Sequence, residues 1–140
     1  MDSDSFKWDR RFLQLAKHIA EWSKDPSTKC GAVIVDGNRR IVGVGYNGFP
    51  RGVEDDEWRY TDRSIKYSLT VHAETNAIAK LARSNESGMD ATMFVTHSPC
   101  LDCAKLIYQS GINHVLYRNS YRSEDGINFL KKAGVQVEQI

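Results

Sequence analysis

Ala91-Thr92-Met93-Phe94-Val95-Thr96-His97-Ser98-Pro99-Cys100-Leu101-Asp102-Cys103-Ala104-Lys105-Leu106-Ile107-Tyr108-Gln109-Ser110-Gly111-Ile112-Asn113-His114-Val115-Leu116-Tyr117 reads as one strand–helix–strand unit. A short apolar run predicts a strand over Ala91–Thr96. A helix follows over Cys100–Gln109, with Gly111 placed to end it, and a second strand covers His114–Tyr117. Pro99 is tolerated at the helix start, where the first turn has N–H groups without intrahelical partners anyway. Alternating units of this kind give parallel strands with right-handed crossovers. Cys100 and Cys103, three residues apart, share one helix face. A helix N-terminus also favours the thiolate form of both.

The flanking sequence extends this unit in both directions. Trp8, Phe12, Leu15, Ala16, Ile19 and Trp22 recur on one face of a first helix, with Ser5 as a candidate cap and Asp25-Pro26 as its stop. Two strands follow, Gly31–Val35 and Ile41–Tyr46, joined through Asp36-Gly37-Asn38 as an antiparallel hairpin. A second helix is expected from about Val71 to Arg83, burying Ala77, Ile78 and Leu81. Beyond Tyr117, a fourth helix covers Glu124–Lys132 and a last strand Val135–Glu138. The order α-β-β-α-β-α-β-α-β predicts a five-stranded mixed sheet sandwiched by helices, a three-layer α-β-α architecture in a single domain over residues 1–140. In it the helices after strands two and three lie side by side, with their N-termini at the same sheet edge.

That edge would gather His72 and Glu74 from one helix and Cys100 and Cys103 from the other. One imidazole and two thiolates make three zinc ligands and leave the fourth tetrahedral position open for water. Glu74, two residues from His72, then stands where a proton shuttle belongs. A carboxylate that cycles its proton cannot also be a permanent ligand, which separates the roles of His72 and Glu74. It would take the water proton, pass it to a ring nitrogen, and later protonate a departing amine. The pattern H-x-E followed by P-C-x-x-C resembles that of zinc-dependent nucleobase deaminases. Cys30 is a small apolar residue at a strand start; as a fourth ligand it would close the site. His97 sits at a strand end, out of line with the cysteines. His18 and His114 have only structural readings.

Composition narrows the classes. With 140 residues, 41% hydrophobic and 26% charged, the chain suits one soluble globular domain. No apolar run approaches the roughly 20 residues of a membrane span, and the acidic start Met1-Asp2-Ser3-Asp4-Ser5 does not resemble a secretory signal. The expected location is cytoplasmic. Net charge is +1, which argues against a broad nucleic-acid grip. Three cysteines, two of them at ligand spacing, favour metal and a reducing compartment over disulfides.

Gly43-Val44-Gly45-Tyr46-Asn47-Gly48-Phe49-Pro50-Arg51-Gly52, His72-Ala73-Glu74-Thr75-Asn76-Ala77-Ile78 and Ser98-Pro99-Cys100-Leu101-Asp102-Cys103-Ala104-Lys105, with Gln109-Ser110-Gly111-Ile112, resemble the deoxycytidylate (dCMP) deaminase family over about two-thirds of the chain. The resemblance implies a cytidine-deaminase-like sandwich that hydrolyses dCMP to dUMP in the supply of dTMP. It implies one zinc on His72, Cys100 and Cys103, with Glu74 catalytic. It also implies a homo-oligomer, a hexamer being favoured, activated by dCTP and inhibited by dTTP, with Mg²⁺ accompanying the regulatory triphosphate. Ala73, Ser98 and Pro99 are carried over as substrate contacts. Lys29, in Ser27-Thr28-Lys29, is a candidate phosphate contact.

The Gly-Tyr-Asn-Gly stretch is associated in that family with the regulatory nucleotide. Gly45, Tyr46, Gly48 and Arg51 form that candidate site, the glycines letting backbone amides approach phosphates. The alternative is a glycine-rich strand end with unusual dihedrals. Asn47 has two readings, a bond to the substrate sugar or a place in the regulatory site. The connection Phe49–Thr70 is long enough to be a binding or interface loop. It has no cysteine, which excludes the second, structural zinc of some relatives. A deaminase of bases within RNA or DNA would need a basic groove. A silent zinc-stabilised module would not need Glu74.

Overall fold

A computed structural model describes residues 3–50, 52, 54 and 57–140. The chain opens with α1 (Ser3–Ala20), then β1 (Gly31–Val35) and β2 (Ile41–Tyr46). Two short helices follow, α2 (Glu57–Thr61) and α3 (Arg63–Leu69), and then α4 (Ala73–Ala82). The second half alternates: β3 (Thr92–His97), α5 (Leu101–Gln109), β4 (His114–Asn119), α6 (Asp125–Lys132) and β5 (Gln136–Gln139). The strands form one mixed sheet in the order β2-β1-β3-β4-β5. β1 is antiparallel to β2 and β3, whereas β3, β4 and β5 run parallel.

Side-chain alternation sorts the sheet into two apolar faces. Ala32 and Ile34 of β1, Met93 and Val95 of β3, and Val115 and Tyr117 of β4 pack with α4, α5 and α6. Their neighbours Val33, Val35, Phe94 and Leu116 pack with Phe12, Leu13, Ala16 and Ile19 of α1. Successive strand residues point to opposite faces, so β1, covered on both sides, is buried along its whole length. The three-layer sandwich with a five-stranded mixed sheet is the expected one, with one helix on one face and three on the other.

Local differences from the sequence reading have physical causes. α1 starts at Ser3, which puts Ser5 inside the helix rather than at its cap. It ends at Ala20, so Trp22 falls beyond the stripe and is exposed, its ring edge-on to Tyr46. In the hairpin the left-handed residue is Arg39 (φ 61°), because Asp36 accepts from the amides of Asn38 and Arg40 and closes a longer loop. α2 and α3 occupy the stretch read only as a long loop. Asp62 caps α3 by accepting from the amides of Ser64 and Ile65, and Phe49 stacks on Tyr60 at 4.4 Å. Among the described residues, no helix is long and apolar enough to cross a membrane.

Candidate metal centre and active site

His72 and Cys100 are the N-cap residues of α4 and α5, both with extended backbone. Neither side chain caps its own helix, so both are available to face each other. The entry to α4 is pinned one residue earlier, where Val71 and Gly48 exchange backbone hydrogen bonds of 2.7 and 3.1 Å. Cys103 follows one turn into α5 and is buried. His72 Nδ1 lies 3.3 Å from Cys103 Sγ and 3.5 Å from Cys100 Sγ. The three donor atoms lie within 4.8 Å of one another. A tetrahedral zinc with Zn–N near 2.0 Å and Zn–S near 2.3 Å has donor–donor edges of about 3.5–3.8 Å. The donor set therefore fits zinc in both chemistry and spacing. His72 is the exposed member, which leaves the cluster open on one side.

Electrostatics match this geometry. Hydrogen bonds from Cys103 and His72 hold the Cys100 thiol well below its usual range. The bond shared with Cys100, together with burial, pushes Cys103 up, and the neighbouring Cys100 raises His72. Glu74, in the first turn of α4, is 6% exposed. Burial pushes its carboxyl up to about 7, the range in which a carboxylate can both accept and return a proton at neutral pH.

Cys30 stands apart from this cluster. Its sulfur is 3.4 Å from Nδ1 of His97, and His97 also meets Thr96 Oγ1 at 2.9 Å. Burial, then the nearby Glu74 charge, pushes the Cys30 thiol up to about 12, so it is a poor ligand. Ala73 and Pro99 are buried at the two helix starts. Ser98 Oγ accepts from the Tyr121 amide at 2.6 Å, and the Ser98 amide donates to the Asn119 carbonyl at 2.8 Å. Lys29 is exposed.

A family model for the cytidine and deoxycytidylate deaminase zinc-binding region matches residues 6–119. The chain belongs to that family. Among relatives of this deaminase, an uncharacterized deaminase in the luxG 3′ region of Aliivibrio fischeri is 46% identical over 132 residues, 94% of this chain and 83% of that protein. Human deoxycytidylate deaminase is 40% identical over 128 residues, 87% of this chain and 71% of that protein. The dCMP deaminase of cyanophage S-TIM5, solved in complex with dCMP and dUMP, superposes with a TM-score of 0.85 at 36% identity. It covers 100% of this chain and 99% of its own.

Several residues that shape the deaminase site were missed or given another role by sequence reasoning. Gly45 is buried against α4: a Cβ there would meet the Ala73 carbonyl oxygen and lie 2.5 Å from the Ala77 nitrogen. At Gly43 a Cβ would come within 2.8 Å of the Ala77 oxygen. These glycines make room for the helix that carries His72 and Glu74. Their alternation along β2 was the available signal. The space beside Gly45 is filled by helix backbone rather than open to phosphate, whereas Gly48 is unobstructed and Tyr46 exposed. Arg51 lies outside the described residues. Gly126 does for α6 what Gly45 does for β2. A Cβ on it would meet the Pro99 oxygen and stand 2.9 Å from the Cys100 carbonyl. Thr75 Oγ1 lies 3.7 Å from Cys103 Sγ.

A buried polar network supports the loop before β1. Asp25, 3% exposed, accepts from the Ser27 amide at 2.8 Å and from Lys66 Nζ at 2.9 Å. Asn47 donates to Asp25 and to the Thr28 carbonyl and accepts from the Cys30 amide. Both Asn47 donors are thus engaged within the chain, leaving one lone pair of its Oδ1 for any outside partner. In the sequence Asp25 reads only as a helix stop, because nothing local announces a lysine 41 residues away.

Proposed function

We propose that this deaminase hydrolyses dCMP to dUMP and ammonia as a single domain, with one zinc on His72, Cys100 and Cys103. The observation that carries the reading is Glu74, a buried carboxyl poised near neutrality beside an open three-donor cluster. Bound zinc would supply Lewis acidity and activate water for attack at neutral pH. Glu74 takes one proton of the attacking water and delivers it to the ring nitrogen, then takes that water's second proton and gives it to the leaving amine, since ammonia departs poorly from an unprotonated nitrogen. Ala73 and Pro99 close the site walls, and Ser98 holds the Asn119–Tyr121 segment against it. Asn47 orders residues 25–30, with its remaining lone pair as the candidate sugar contact. Lys29 is the candidate phosphate contact at the mouth.

The nucleotide preference is supported by the S-TIM5 relative, whose complex contains dCMP and dUMP, and by the human deoxycytidylate deaminase. Control by dCTP and dTTP with Mg²⁺, through Tyr46 and Gly48 in a homo-oligomer favoured to be a hexamer, belongs to the same reading. So does a cytoplasmic location. Steady-state ammonia release from dCMP, deoxycytidine and a cytosine oligonucleotide tests it. The expected result is a strong kcat/KM preference for dCMP, because phosphate binding energy positions the base. Equal values for nucleoside and nucleotide would move the assignment to a nucleoside deaminase.

A further inference from the structure

Asn47 and His72 face each other across one backbone bridge. Gly48 pairs with Val71 there in antiparallel register, so Asn47 precedes the bridge and His72 follows it. Residues 49–70, with α2 and α3, leave and return through that bridge. From this excursion Lys66 of α3 reaches back to the loop before β1, where its Nζ donates to Asp25 Oδ1 at 2.9 Å. The two side chains are 12% and 4% exposed, unlike a solvated surface pair. Desolvation offsets much of the attraction within a buried pair, so stability alone does not account for Lys66 and Asp25.

The groups around Asp25 decide which way the Asn47 amide faces. Turning that amide end for end would exchange its donors and its acceptor. Nδ2 donates to the Thr28 carbonyl at 2.9 Å and to Asp25 Oδ2 at 3.4 Å, while Oδ1 accepts from the Cys30 amide at 2.8 Å. A carboxylate only accepts, so Asp25 admits only the NH₂ end. Asp25 Oδ1 also accepts from the Ser27 and Thr28 amides at 2.8 and 3.4 Å, which holds the turn that carries the Thr28 carbonyl. Ser23 closes the ring: its hydroxyl donates to the Asn47 carbonyl at 2.8 Å and accepts from the Asp25 amide at 3.2 Å. Oδ1 keeps one lone pair, suited to a hydroxyl donor, and a deoxyribose 5′-phosphate has one free hydroxyl, the 3′. Given the dCMP reading above, on which this rests, we infer that Lys66 and Asp25 are positioning residues that aim Asn47 Oδ1 at the substrate 3′-hydroxyl. Without Lys66 the buried carboxylate lacks a cation and either takes up a proton or turns toward solvent; both release Asn47.

Steady-state kinetics with dCMP and its 2′,3′-dideoxy analogue, which lacks only that hydroxyl, test this, with zinc content measured in parallel. The wild type should favour dCMP in kcat/KM by about tenfold or more, since a site built to bond a hydroxyl rejects the analogue without it. Asp25→Asn is close in size but can donate as well as accept. It and Lys66→Met should each bring the ratio to within about threefold of one, through a higher KM for dCMP and with zinc retained. Lys66→Arg keeps the charge and should keep most of the preference. The two disruptive variants change different members of the pair, so either one that folds decides. A wild-type ratio near one, an unchanged ratio in the variants, equal slowing of both substrates, or as large a loss in Lys66→Arg as in Lys66→Met would each overturn the inference while leaving dCMP deamination intact. No turnover of dCMP by the wild type would overturn the functional reading and this inference with it.

Discussion

The two faces of the sheet are built by different kinds of contact. On the face covered by α4, α5 and α6, the backbones themselves approach, at Gly43 and Gly45 under α4 and at Gly126 against Pro99 and Cys100. On the other face α1 has one such seat, where a Cβ on Gly31 would meet the Ala16 carbonyl oxygen and lie 2.7 Å from the Ala20 nitrogen. Elsewhere α1 rests on side chains such as Phe12 against Phe94, with ring centroids 5.3 Å apart, and leaves a groove along its flank. Side chains can repack around a change, but backbone cannot. The candidate metal centre sits on the face where helix backbones approach the sheet and one another at more than one glycine, which suits a three-donor cluster that needs fixed helix positions.

The sharpest test of that contrast removes the proposed proton carrier without touching a proposed ligand. Glu74→Gln is expected to keep zinc stoichiometry while turnover falls by roughly 10²–10⁴-fold or more. Metal analysis alongside steady-state rates checks both halves, and a near wild-type rate with intact metal would refute the mechanism. Next, Lys66→Met leaves Asp25 buried without its cation. Breaking a buried pair costs about 3–5 kcal/mol, and the lower end is expected because the Lys66 side chain keeps 12% exposure. Urea unfolding should show this loss with zinc content unchanged and KM for dCMP raised.

Gly126→Ala and Gly31→Ala compare the faces directly. Each overpacks a backbone contact and should cost about 1–3 kcal/mol. Only Gly126→Ala is expected to speed zinc release to a chelator, because only that contact bears on Cys100. If Gly126→Ala fails to fold, Leu130→Ala on α6 against Leu13→Ala on α1 repeats the comparison with cavities. Equal release rates in either pair would mean that α6 does not position the metal centre.

The smallest expected effect lies on the α1 face. Partial burial raises the Asp9 carboxyl above its usual range. The folded state then holds more protons than the unfolded state between the unfolded and folded pKa values, so stability falls as pH rises through that window. Asp9→Asn should raise the melting temperature slightly at pH 7 and leave it unchanged below the unfolded carboxylate range. A lower melting temperature at pH 7 would show that Asp9 makes a favourable interaction that outweighs its burial.

Patterns that repeat along the chain are legible in the sequence alone. Strand alternation from Gly31 to Val35, the spacing of Cys100 and Cys103, and the stripe of α1 all reflect periods of 2 and 3.6 residues that the backbone imposes locally. The order of elements then limited the sheet to few arrangements, so His72, Cys100 and Cys103 could be expected at one edge. The loop from Phe49 to Thr70 was not resolved into α2 and α3, because these short helices bury few residues and carry a weak periodic signal.

Other features were decided only by tertiary structure. A glycine reads alike whether it frees a dihedral, admits a phosphate or makes room for a helix. The backbone facing Gly45 and Gly126 shows that both serve helix packing. The partner of Asp25 is 41 residues away, and Arg10, Lys17 and Arg118 line one groove only because α1 lies across the carboxyl ends of the parallel strands. Local sequence sets what a segment prefers. Burial of Glu74 and the close approach of three donor atoms depend on distances between segments, and those exist only once the sheet has brought the segments together.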